Sequence, residues 1–305
     1  MWMKRSFYLY LVLIVYSSSL FAQVKLDTLK FSPSLSRLSI LGDSLLKSSS
    51  DDVRINSHAL FSNLFDSILH SPEGATLSFF QVPALSVLKS DDNKVRVFNW
   101  MLISQQQNNS SFFGYVEVSD LKKKSRKIHH LEESKYSNNT EVELMRLDTA
   151  NWLGCVYYKL IHKNYHNADY YILLGWAPQS TLTTRKIIEP LVISSAKISF
   201  GSPILKTGGK PKMRMIFEYN SQSAMTLRYD DSNDRILFDN LSPSDPNPEA
   251  KSNYSLYGPD FSYNELKFDK GAWKMTKNVD VKNQGTNEGK KGDLKKMKTN
   301  NSKNP

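Results

Sequence analysis

LYGPDFSYNELKFDKGAWKM, residues 256–275, decides how the body of this chain is read. Tyrosines, aspartates and a tryptophan crowd together here, as they would in a binding site or in a pair of strands. The residue order favours strands. Gly258-Pro259-Asp260 predicts a turn, with proline fixing φ and the aspartate bonding backbone. Ser262 to Phe268 then reads as a strand, and Asp269-Lys270-Gly271 as a tight hairpin turn in which glycine supplies the positive φ. Trp273 and Met275 fall on one face of a closing strand.

The same alternation runs back to about residue 76. KVRVFNWMLIS, SFFGYVEVSD, RKIHHLEE, GCVYYKLIHK, DYYILLGW, TRKIIEPLVIS, MRMIFEYNS and DRILFDNL are rich in β-branched and aromatic residues, with Asn, Asp, Gly and Ser clusters between them. Short strands at short intervals predict an all-β body over 76–279, built as an antiparallel meander: a sandwich, an open barrel or a small propeller. DDNKVRVF (91–98) and DSNDRILF (231–238) echo one another. Such Asp-rich launches occur in propellers, although hairpin turns converge on Asp and Asn for backbone reasons alone.

Before the strands, residues 23–75 predict a short helical segment. Leu35, Leu38, Leu41, Leu45 and Leu46 recur at helical spacing, as do Leu60, Phe61, Leu64, Phe65, Ile68 and Leu69. Ser48 to Asp52 reads as their linker, and Ser71-Pro72 as a stop. Ahead of this, Lys4 and Arg5 precede an apolar run from Phe7 to Tyr16, then small residues and Ala22. That order predicts a secretory signal peptide over 1–22, with an uncleaved anchor as the alternative. The expected location is the periplasm of a Gram-negative cell or, by secretion, its surface, with no membrane span after cleavage. The single cysteine, Cys155, fits such a compartment as a buried thiol without a disulfide partner.

The formal net charge is +10. From Lys277 onward eight lysines face three acids, so much of the excess belongs to a polar, apolar-poor tail over 280–305, which predicts disorder. On this count the body calls for no basic groove, and no nucleic-acid signature appears.

Motifs that could carry chemistry fall short of it. Gly42-Asp43-Ser44-Leu45 spells the nucleophile block of GDSL esterases, but it lies in a helical leucine pattern and no Asp-x-x-His follows. His162 and His166 have metal-pair spacing, yet that spacing shares a face only on a helix, and here the pair reads as a turn between two strands. His129 and His130 point to opposite faces of a strand. No metal, cofactor or catalytic residue is therefore expected. Aromatics remain: Trp100, Trp176, Tyr257, Asp260 and Tyr263 are the candidate ligand-binding residues, the rings stacking on sugar faces and the carboxylate taking hydroxyls.

SDDNKVRVFNW, YYILLGW with TRKIIEPL, and YGPDFSYNELKFDKGAWKM together resemble a group of exported proteins of unknown function from Bacteroidetes-type bacteria. The resemblance spans about residues 76–280. It implies export and a β-rich body, and brings no catalytic or binding residue with it. The expected function is non-enzymatic, soluble binding or envelope association with an unknown protein or glycan partner. The alternative is an extracytoplasmic hydrolase of cell-wall or polysaccharide material, which would need two carboxylates facing each other in a cleft.

Overall fold

The structure, a computed structural model, describes residues 33–104, 109–136, 138–194, 197–245, 247 and 253–280. The expected signal peptide and nearly all of the basic tail lie outside the described residues. Helix α1 covers residues 33–47, and α2 runs Asp51–His70. α2 begins nine residues before Leu60, where the apolar spacing opens. The Ser50 side chain accepts from the Val53 amide, and Asp51 and Asp52 favour the positive end of the helix. The linker is thus Ser48 to Ser50, shorter than the spacing predicts. Gly42 lies where α1 crosses the following chain: a β-carbon there would stand 2.2 Å from the Pro83 carbonyl oxygen.

The rest is mostly β, in three antiparallel sheets. The first is a meander of β1 (Ser86–Lys89), β2 (Val95–Ser104), β3 (Asn109–Asp120) and β4 (Ser125–Leu131). A short helix, α3 (Asn139–Val142), leads to the second sheet. This holds β5 (Val156–Tyr165), β6 (Ala168–Pro178), β7 (Thr183–Ser194) and β10 (Met215–Asn220), with β8 (Lys197–Phe200) paired to the end of β7. The third contains β11 (Leu227–Asp230), β12 (Arg235–Pro243), β13 (Tyr257–Asp269) and β14 (Ala272–Thr276). β9 (Leu205–Lys206) joins β14 in parallel, an exception to the antiparallel pairing.

The layers stack as helices, first sheet, second sheet, third sheet. Alternate residues of β2 serve opposite interfaces. Phe98 and Trp100 pack with Leu38, Phe61 and Phe65 of the helices, while Val95 and Val97 join Leu160, Leu173 and Ile187 of the second sheet. Ile161, Ile172 and Leu174 leave that sheet's other face to meet Ile236, Phe238, Leu266 and Trp273 of the third. Each buried large apolar side chain contributes about 1.5–3 kcal/mol. No sheet closes into a barrel among the described residues. The echoed Asp-rich segments form equivalent hairpin turns, β1–β2 and β11–β12.

The opening stretch differs from expectation in one place. Gly258, Pro259 and Asp260 are not a turn but the start of β13, where Gly258 and Pro259 pair with Ser242 and Leu241. The missing proline donor breaks no ladder bond to β14, because β14 pairs only with Glu265–Asp269. The turn chemistry is spent on a bulge instead. Between the pairs Asp239–Tyr263 and Leu241–Pro259, β12 has one residue and β13 has three. Phe261, at its apex, sits at φ 66°. The Asp269–Ala272 hairpin forms as read.

One polar network is sealed inside. Arg214 and Glu189 are both 0% exposed. Arg214 Nε donates to Glu189 Oε1 (2.6 Å), and its other nitrogens donate to the carbonyls of Val142, Met145 and Phe200. Tyr157 donates to the second Glu189 oxygen and accepts from Trp152 Nε1 (2.9 Å). This ties α3 and the second sheet together. Cys155 is buried beside it, and burial first, then the Glu189 charge, pushes its thiol well above the usual value. It is therefore an inert thiol.

Candidate functional site

The β3–β4 hairpin is built to display charge. Asp120 Oδ1 accepts the amides of Lys122 and Lys123, each at 3.1 Å, and Lys124 takes the left-handed conformation that closes the turn (φ 51°). KKKSRK, residues 122–127, thereby becomes a basic arm. Between this arm and the β7–β8 end lies a cleft of about 560 Å³. Val118, Ile193 and Ile198 supply apolar wall, and Lys94, Lys122, Lys123, Arg126, Lys127 and His129 stand around it.

Not all of those cations are free. Lys123 meets Asp120 at 3.6 Å, and Arg126 meets Glu117 at 2.6 Å. Lys94 meets Asp169 and, at 3.3 Å, Asp92. Lys122 and Lys127 have no ion pair among the described residues. His129 is held below the ordinary imidazole value by burial and then by the neighbouring Lys127, so it is uncharged at neutral pH. Two unpaired ammonium groups beside apolar wall can receive an anionic group and the carbon framework that carries it.

Lys94 also belongs to a second cluster. Asp92 lies in the β1–β2 turn, His162 on β5 and Asp169 on β6. His162 Nε2 is 2.9 Å from Asp169 Oδ1 and 3.5 Å from Asp92 Oδ2. Tyr171 donates to Asp92 Oδ2 (2.7 Å), and Asn164 donates to Asp169 Oδ1 (2.8 Å). Burial pushes the Asp169 carboxyl up, but hydrogen bonds from Lys94, Asn164 and His162 outweigh it and hold the carboxyl at about 2. Asp92 is likewise depressed: burial is outweighed by bonds from Ser90 and Tyr171. Both are ionised at neutral pH. Neither keeps the proton that a general acid of glycoside hydrolysis must deliver.

The residues expected to bind ligand are dispersed. Trp100 lies mid-β2, 2% exposed, edge-on to Phe61 and Phe65. It fills the helix–sheet core and offers no free face. Trp176 is half-buried near the end of β6, lining a shallow depression with Ile103, Pro178 and Thr181. Tyr257, Asp260 and Tyr263 do share β13. Asp260 is engaged by the Asn240 amide (2.6 Å) and by Ser262. Phe261 between them is 92% exposed, and nothing in the strand reading marked it. Ser44 of the esterase-like block lies in α1 and donates to the Ile40 carbonyl (3.1 Å). His162 is in β5 rather than in the turn, and His166, in the turn, stacks edge-on against Tyr165. His129 and His130 do face opposite ways, one into the cleft and one onto Tyr115.

The basic cleft is what the sequence reading missed. The lysines of the tail account for much of the net charge and mask KKKSRK in the total. A run of five cations in six residues at a hairpin tip is a usable signal. Comparison of the chain with protein families, with curated proteins and with solved structures finds no match.

Proposed function

We propose that this is an exported, non-enzymatic envelope or surface protein that binds an acidic glycan in the basic cleft. The observation that carries the reading is the pair of ammonium groups, Lys122 and Lys127, without an ion pair among the described residues, at a cleft of about 560 Å³ with apolar wall. Export rests on the order of charges and apolar residues at the N-terminus. The glycan is favoured over a small anion because the cleft is open and joins charged with apolar surface. The hydrolase alternative draws no support from Asp92 and Asp169, which are both ionised and bridged by Lys94.

The test is titration of the protein with polygalacturonate and with neutral dextran, by calorimetry at two salt concentrations. Binding of the acidic polymer alone, weakened by salt and lost in the Lys122→Glu/Lys127→Glu variant, is the expected result. Equal binding of dextran, or binding unaffected by the double reversal, would move the site away from the cleft.

A further inference from the structure

We propose that Asp92, His162 and Asp169 form a binding site for one divalent transition-metal ion, with zinc the best match. One imidazole and two carboxylates are a borderline-to-hard donor set of the kind zinc accepts, with water as a fourth ligand. One ligand atom from each residue lies within 4.8 Å of the others. Ligands of a tetrahedral zinc, at bonds of about 2.0–2.1 Å, stand about 3.3–3.4 Å apart. His162 Nε2 is already 2.9 and 3.5 Å from the two carboxylates, so small movements, with the ring proton passing from Nε2 to Nδ1 or to solvent, convert the hydrogen-bonded cluster to a ligand set.

Three further features suit an ion. The ligands come from a tight turn and two neighbouring strands, so their backbone positions are fixed. Outer partners hold the ligands: Tyr171 and Ser90 on Asp92, Asn164 on Asp169, and the Tyr171 ring stacked on His162 at 5.0 Å. Such partners orient metal ligands and set their basicity. The three side chains are partly shielded rather than sealed, at 14, 13 and 24% exposure, which leaves water a path to the open position.

Lys94 is the apparent objection and supplies the sharpest test. Its ammonium now serves as the counter-cation of both carboxylates. A divalent ion supplies more charge at shorter range, and Lys94, 42% exposed, can release its ammonium into water without losing its proton. Lys94 therefore competes with the metal, and its removal should tighten metal binding. A purely structural ion-pair cluster behaves otherwise, since losing its cation would leave two carboxylates and no gain for a metal beyond loose, unspecific attraction.

The experiment is calorimetric titration of the full chain with zinc chloride, with manganese and calcium chlorides for comparison. X-ray absorption on the zinc-loaded protein would count imidazole ligands from the scattering of their outer ring atoms. One zinc per chain is expected, with one imidazole in its shell. His162→Ala should weaken binding at least about tenfold, and Lys94→Met should strengthen it about tenfold or more by removing a like charge a few ångströms away. No saturable site in either the wild type or Lys94→Met would overturn the proposal. So would a His162→Ala variant that binds zinc like the wild type. If His162→Ala fails to fold, as circular dichroism would show, the Lys94→Met comparison and the absorption spectrum still decide.

Discussion

Replacing Arg214 with methionine should remove about 3–5 kcal/mol of stability. Arg214 is fully buried, and its guanidinium donates to Glu189 Oε1 at 2.6 Å and to three carbonyls, those of Val142, Met145 and Phe200. Methionine keeps most of the volume and none of the donors. Glu189, itself fully buried, would keep, among the described residues, the Tyr157 hydroxyl as its side-chain donor. Breaking one side of a buried pair costs about 3–5 kcal/mol because the remaining charge is stranded. Against a typical total of about 5–15 kcal/mol this is a large share. Urea unfolding followed by tryptophan fluorescence would read it. With a slope of about 2–3 kcal/mol per molar, the midpoint should fall by at least about 1 M with the slope unchanged. Replacing both partners, Arg214→Met with Glu189→Leu, should recover much of the loss, since an apolar pair of similar volume strands no charge. A single-variant loss below about 1 kcal/mol, or a double variant less stable than the single one, would refute the reasoning.

Three further outcomes follow from local geometry. Gly42→Ala should destabilise by about 1–3 kcal/mol, because its β-carbon would meet the Pro83 carbonyl oxygen at 2.2 Å and α1 would have to shift; an unchanged melting temperature would contradict the close approach. Phe261→Gly should be neutral or stabilising by up to about 1 kcal/mol, since a 92% exposed ring at φ 66° has little packing to lose and strain to relieve; a clear loss of stability would place the ring in a contact. Asp230 sits below its ordinary 3.8 because bonds from Asn233 and Arg235 outweigh burial. Its depressed carboxyl contributes stability that is present above about pH 4 and fades as pH falls through the folded value. The deficit of Asp230→Asn relative to wild type, about 1 kcal/mol at neutral pH, should therefore vanish in acid, and a pH-independent deficit would count against the ion pair.

The elements were legible where one face was buried and one was wet. Phe61, Phe65, Ile68 and Leu69 mark the inner side of α2 by their spacing, and they do lie in the helix–sheet core. The start of α2 was not legible from apolar spacing, because Val53 and Ile55 are exposed there and the signal is the Ser50 cap. β1 and β9 were missed for shortness, at four and two residues. The stacking order was hidden by the burial itself. Val95 to Trp100 are buried without interruption, since β2 has packed layers on both sides. Alternation then says strand but not which neighbour each face meets.

The site was legible in part, and the division has a physical reason. KKKSRK is contiguous, so its charge could be read directly once a hairpin was placed around it. Asp92, His162 and Asp169 could not be read in the same way. His162 and Asp169 face each other because the β5–β6 hairpin sets Tyr171 opposite His162 and Asp169 opposite Asn164. That much follows from a turn at His166-Asn167. Asp92 arrives from some seventy residues away, carried by the β1–β2 turn as the first sheet packs across the second. The i,i+4 histidine pair drew attention to the wrong partner. In a strand the second histidine at that spacing drops into the turn, and the groups that complete the cluster come from the neighbouring strand and the neighbouring sheet. A stack of sheets brings side chains together across layers, so its polar clusters are set by packing rather than by spacing along the chain.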